Sequence, residues 1–104
     1  MEIQAHRIGE LVSYQEGSVV SRKVLGGKGG NVTLFAFARG EGLTEHTSPY
    51  DAMVLILEGR AVIRIAGQTY RLAAGETITL PADAPHALDA EDPFKMMLVL
   101  IRER

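Results

Sequence analysis

The sequence predicts an all-β domain, a sandwich or barrel of short strands. Three observations lead there. Apolar and polar residues form many short runs, separated by turn signals at spacings of about 8–12 residues, as in strands whose two faces differ in burial. All four prolines, Pro49, Pro81, Pro85 and Pro93, fall between those runs or at their ends, where a missing N–H removes no ladder bond. Ile8–Tyr14 alone carries the spacing of a helical turn, and it is short and interrupted by Gly9.

Taken in order, Ser18–Leu25 is rich in valine and serine and reads as an edge-type strand. Gly26-Gly27-Lys28-Gly29-Gly30 then breaks it, since so many glycines leave the backbone too free for regular structure. Asn31–Arg39 is a strand with Val32, Leu34, Ala36 and Ala38 on one face and Thr33, Phe35, Phe37 and Arg39 on the other. Both faces are apolar, so this strand is expected to touch something on each side. Leu43–Ser48 is a polar strand ended by Pro49. Ala52–Leu57, apolar on both faces and too short for a typical helix, reads as a strand buried on both sides, in a barrel wall or at a subunit contact. Glu58-Gly59 makes a turn, after which Arg60–Ile65 alternates with Ala61, Ile63 and Ile65 inward. Ala66-Gly67-Gln68 is a hairpin turn and Thr69–Ala73 the return strand. Ala74-Gly75 turns again, and Thr77–Leu80, His86–Leu88 and Phe94–Arg102 complete the strand list.

The size and charge of the chain exclude several classes. Its 104 residues suit one domain, 1–104, with one core. A net charge of −2 and the lack of a lysine/arginine run argue against nucleic acid or an anionic membrane surface as partner. Cysteine is absent, which removes disulfides, iron–sulfur sites and thiolate catalysis. The N-terminus lacks the basic-then-apolar pattern of a signal peptide, and the apolar run Ala52–Leu57 is far short of a membrane span. A cytoplasmic protein is the expectation.

The chemistry concentrates in two stretches. Gly40–Gly59 carries His46 at the junction between a polar approach and an apolar run, and Gly75–His86 ends on His86 after Pro81 and Pro85. These stretches resemble the two motifs of the cupins. Gly40, His46, Gly59, Gly75, Pro81 and His86 fall on the family's spacing without a gap. Three positions depart from it: Ser48 stands where the family has a second histidine, Ala52 where it has glutamate, and Asp83 where it has glycine. Asp83 can serve the same turn, because aspartate tolerates left-handed backbone. The resemblance implies a jelly-roll β-barrel, the double-stranded β-helix, and it places His46, Ser48, Ala52 and His86 around one cavity at the barrel mouth.

Either histidine alone reads as a hydrogen-bonded polar residue with no chemical duty; two in frame point to a shared ligand-binding pocket of His46, Ser48 and His86. The family's metal sites imply one divalent transition ion (zinc, iron, manganese, nickel or copper) held here by His46 and His86. Such a site is expected to be weak, since serine and alanine replace two ligands and these metals prefer three or more good donors. An added ligand from Gln4, His6, Glu41 or Asp51 would require a loop or the N-terminal arm to fold over. A metal-dependent dioxygenase or isomerase, a metal-free small-molecule binding or sensing domain, and a structural or regulatory subunit with a vestigial site are the open functional classes. No catalytic nucleophile is recognisable, because no serine sits in a triad context. The apolar surface of Asn31–Arg39 and Ala52–Leu57 exceeds what one small barrel interior uses, so a homodimer is expected.

Overall fold

A computed structural model describes residues 2–102. A 3-10 turn at Ile8–Leu11 precedes strands β1 (Val19–Gly27), β2 (Gly30–Phe37), β3 (Gly42–His46), β4 (Asp51–Ile65), β5 (Gln68–Ala73), β6 (Thr77–Leu80), β7 (His86–Asp89) and β8 (Phe94–Ile101). Every pairing is antiparallel. One sheet runs β1-β2-β8-β4-β6 and the other β5-β4-β7-β3, so β4 belongs to both. The sheets enclose one core, and the expected all-β jelly-roll barrel is what forms.

The two halves of β4 are joined at Gly59. Its first half pairs with β6 and β8, its second with β5 and β7. The register slips between Ile56 and Glu58, and Gly59 takes φ +77°. A Cβ there would meet the Pro93 carbonyl oxygen at 2.1 Å. Glycine is therefore required twice, for the left-handed backbone and for the close approach. The turn expected at Glu58-Gly59 is thus a bend within a continuous strand, which carries the chain from one sheet into the other.

Alternation decides the core. Ala52, Val54, Ile56, Ala61, Ile63 and Ile65 of β4 point inward and pack with Phe37, Leu80, Leu88, Phe94 and Met96. The rings of Phe37 and Phe94 stack at 4.4 Å between centroids, on strands paired directly at those residues. Between β4 and β5, the hairpin Ala66-Gly67 takes positive φ at both positions, 49° and 82°, as a two-residue connection requires. The glycine-rich stretch does not break the structure as expected: Gly26 and Gly27 end β1, Gly30 begins β2, and Lys28-Gly29 turns a hairpin between them.

The outer face of β2 is covered by the chain's own N-terminal segment. Val12 is buried with Leu34 and Ala36, and Leu11, Val20, Leu57 and Met97 pack around them. Polar bonds fix the segment there: Lys95 Nζ donates to the Gly9 carbonyl at 2.7 Å, Tyr14 donates to Glu58 at 2.7 Å, and Arg22 to the Leu11 carbonyl at 3.1 Å. This explains why β2 is apolar on both faces. The cover stops there. Met53 and Ile101 remain exposed, and Leu55 and Val99 half-buried, on the same outer face, so the outer side of Ala52–Leu57 is covered at Leu57 and open at Met53. Among the described residues no helix is long and apolar enough to cross a membrane.

Candidate functional site

His46 ends β3 and His86 begins β7, and the two are directly paired across the strands. Ile65 of β4 stands opposite His86 on the other side. Ile65 belongs to the core, so the row His46–His86–Ile65 faces the barrel interior. A bulge aims His46. Leu43 pairs with Leu88 and His46 with His86, three steps on β3 against two on β7. Without the extra residue Glu45 would stand opposite His86, and the imidazole would leave the site. Bulges commonly re-aim a side chain in this way.

The rings meet edge to face, with centroids 4.3 Å apart and planes at 71°. Their Nε2 atoms are 3.0 Å apart. Each Nδ1 faces a backbone carbonyl two residues back: His46 that of Thr44 at 2.8 Å, His86 that of Ala84 at 3.2 Å. A carbonyl oxygen only accepts, so both Nδ1 atoms donate, and in neutral rings both Nε2 atoms then carry lone pairs. Two lone pairs at 3.0 Å repel unless something positive or hydrogen-bond-donating lies with them. A proton, a metal ion or a donor group of a ligand meets that need. The backbone thus holds the pair as a convergent two-acceptor site. Burial lowers the pKa of His86, the bond to the Ala84 carbonyl opposes that shift, and nearby His46 adds to the lowering.

The separation suits a shared ion, since two bonds of about 2.1 Å place their nitrogens roughly 3–3.5 Å apart at ordinary coordination angles. The rest of the donor set does not suit a resident one. Ser48 lies beyond the end of β3, where its hydroxyl accepts the Tyr50 amide at 3.3 Å and its carbonyl the Asp83 amide at 2.7 Å. Its strand reading therefore ends two residues early, and Ser48 ties two loops of the mouth together. Ala52 lies inward on β4, paired with Leu80 and Leu100, and offers only a methyl. Of the other candidates, Gln4 bonds to Glu2 and Asp51 to the Ala82 amide. His6 is exposed on the N-terminal segment and Glu41 is half-buried in the loop before β3. Among the described residues no three of histidine, cysteine, aspartate and glutamate gather as a metal set. The pair therefore provides a two-nitrogen foothold and not a complete centre.

Leu43, Ile78, Ala84, Leu98 and Leu100 pack against the core and are only half-buried. Asp83 takes φ 68° in the loop leading to His86, the left-handed geometry expected of it. The sequence reading did not single out the inward-facing ends of β2 and β8, where Asn31 stands opposite Leu100 and Thr33 opposite Leu98. Their shared parity with Phe35 and Met96 is the signal that could have found them.

An all-β barrel with histidines from two motifs at its mouth defines a class, and comparison with known proteins agrees. Residues 33–101 match the cupin domain family, and the chain belongs to it. A conserved protein of unknown function from Streptococcus pyogenes is 36% identical over 100% of this chain and 91% of its own, with a TM-score of 0.93. A cupin 2 conserved barrel domain protein from Leptotrichia buccalis is 38% identical over 90% of this chain, with a TM-score of 0.87; the match spans 46% of that longer chain. A cupin superfamily protein from Desulfitobacterium hafniense is 27% identical over 99% of this chain and 94% of its own, with a TM-score of 0.92. No curated protein matches the chain.

Proposed function

We propose that this cupin binds a small molecule at the barrel mouth, and that the His46–His86 pair takes a divalent transition metal only weakly, together with that ligand. The observation that carries the reading is the convergence of both Nε2 atoms at 3.0 Å while both Nδ1 atoms are committed to carbonyls. Two neutral imidazoles give an ion neither the donor number nor the charge it prefers, so the ligand supplies the remaining donors. Without an ion, a hydroxyl or N–H of the ligand occupies the same place between the rings.

Calorimetry of untagged protein with zinc and nickel tests this. Binding in the micromolar rather than the nanomolar range is expected, lost in His46→Ala and in His86→Ala with the barrel still folded. No binding of either ion, or binding indifferent to both substitutions, overturns the metal part of the reading. The uncovered outer face around Met53, Val99 and Ile101 supports pairing of two barrels. Light scattering at micromolar concentration that gives the mass of one chain counts against that pairing.

A further inference from the structure

We propose that Lys23, Asn31 and Thr33 form an anion-accepting corner on the inner face of the mouth, so that the ligand of the His46–His86 site is a small carboxylate with an apolar body. The proposal rests on the mouth being a ligand pocket. Strand register places the corner. Asn31 pairs with Leu100, which pairs with Ala52; Thr33 pairs with Leu98, which pairs with Val54. Directly opposed residues of antiparallel strands share a face, and Ala52, Val54, Leu98 and Leu100 all face the core. Asn31 and Thr33 therefore face it as well, in the rows nearest the mouth.

Lys23 pairs with Thr33 and ends that row. Its stem lies beside Asn31: a Cβ added at Gly26 would come within 3.1 Å of Lys23 Cδ and 3.3 Å of Asn31 Cβ. The missing side chain at Gly26 leaves the space that the lysine stem borders. The Thr33 hydroxyl donates to Asn31 Oδ1 at 3.0 Å, which uses the amide's acceptor and leaves its two N–H donors for another partner. The Lys23 ammonium forms no ion pair among the described residues. An ammonium and an amide NH2 on one corner, neither bonded to a carboxylate among the described residues, match the two oxygens of a carboxylate. Half-buried Leu98 and Leu100 run from this corner toward Ala52 and suit an apolar body. The histidines then receive the ligand's other end, or a metal bound to it.

The test titrates hexanoate and its uncharged counterpart hexanol, and separately zinc, into the wild type, Lys23→Gln and Asn31→Leu, following amide shifts by NMR. Hexanoate is expected to bind about tenfold more tightly than hexanol, moving the amides of Asn31, Thr33, Leu98 and Leu100. Lys23→Gln should erase that advantage while hexanol and zinc bind as before, and Asn31→Leu should erase it while zinc binds as before. Lys23 is exposed at a sheet edge, so Lys23→Gln keeps the test readable if Asn31→Leu does not fold. Equal binding of the two probes to the wild type, or an advantage that survives Lys23→Gln, overturns the corner; zinc shifts at His46 and His86 in that case leave the histidine site standing. No shift at the mouth with any of the three probes overturns the corner and the pocket together.

Discussion

The two ends of the barrel are made by the same strands and the same alternation, yet they differ in how completely they close. At one end Phe37, Ile56, Ala61, Ile63 and Phe94 are 0–1% exposed. At the other, Asn31, Thr33, Leu98 and Leu100 continue the same inward rows and stay half-buried, and His46 is exposed. The cause is bulk and termination. Two stacked phenylalanines and the β4 bend fill the closed end, whereas Ala52 leaves the mouth with a methyl at its wall. Stability should therefore concentrate at the closed end and binding at the mouth.

The largest effects should separate the two ends. Phe94→Ala removes a fully buried ring and its stacking partner's contact, and should cost about 3–5 kcal/mol in urea denaturation. Leu98→Ala, at the half-open mouth, should cost no more than about 2 kcal/mol, since part of that side chain already meets water. Equal costs would break the comparison. Gly59→Ala should cost about 3 kcal/mol, from a left-handed residue and the clash with the Pro93 carbonyl. A neutral result there would mean the bend can move without disturbing either sheet.

Metal affinity sharpens the mouth side. Ala52→Glu places a carboxylate on the inner wall and should tighten zinc binding about tenfold or more, measured by calorimetry. The same variant should melt earlier without metal, because the carboxylate is buried without a partner. Ser48→His should add less, since residue 48 stands in the loop beyond β3. The Ala52→Glu gain should vanish when His86→Ala is added.

The smallest effect is a pH dependence. His86 has its pKa lowered in the fold from 6.5, first by burial. As pH falls through that value the unfolded chain takes up a proton that the native state resists, so the unfolded state binds more protons and stability decreases toward acid. The loss should be confined to the interval between the ordinary imidazole value and the lowered native one. It should disappear in His86→Gln, as read from urea midpoints across pH. An unchanged acid dependence in that variant would place the titration elsewhere.

Much of the fold was legible in the chain. Thr77–Leu80 reads as a strand and forms β6 with those bounds, and the four prolines all lie outside strands. The in-frame histidines do meet, with their Nε2 atoms 3.0 Å apart. Other parts were hidden for physical reasons. The glycine-rich stretch forms strand ends because pairing with β2 supplies what local propensity lacks. The apolar outer face of β2 looked like a subunit contact and is partly filled by Leu11 and Val12, about twenty residues earlier. Ser48 shares parity with His46 in an ideal strand, but the strand stops at His46.

What the sequence by itself determined is what depends on near neighbours: alternation along each run, turn chemistry at Ala66-Gly67 and Asp83, and which residues carry imidazoles. Tertiary structure alone decided the rest, because register is set by pairing between distant segments. The extra residue between Leu43 and His46 has no meaning until β7 lies beside β3. Only then do the Thr44 and Ala84 carbonyls fix both rings and turn two separate histidines into one acceptor pair. In the same way, Lys23 and Asn31 become neighbours only when β1 folds back on β2 across the glycine hairpin.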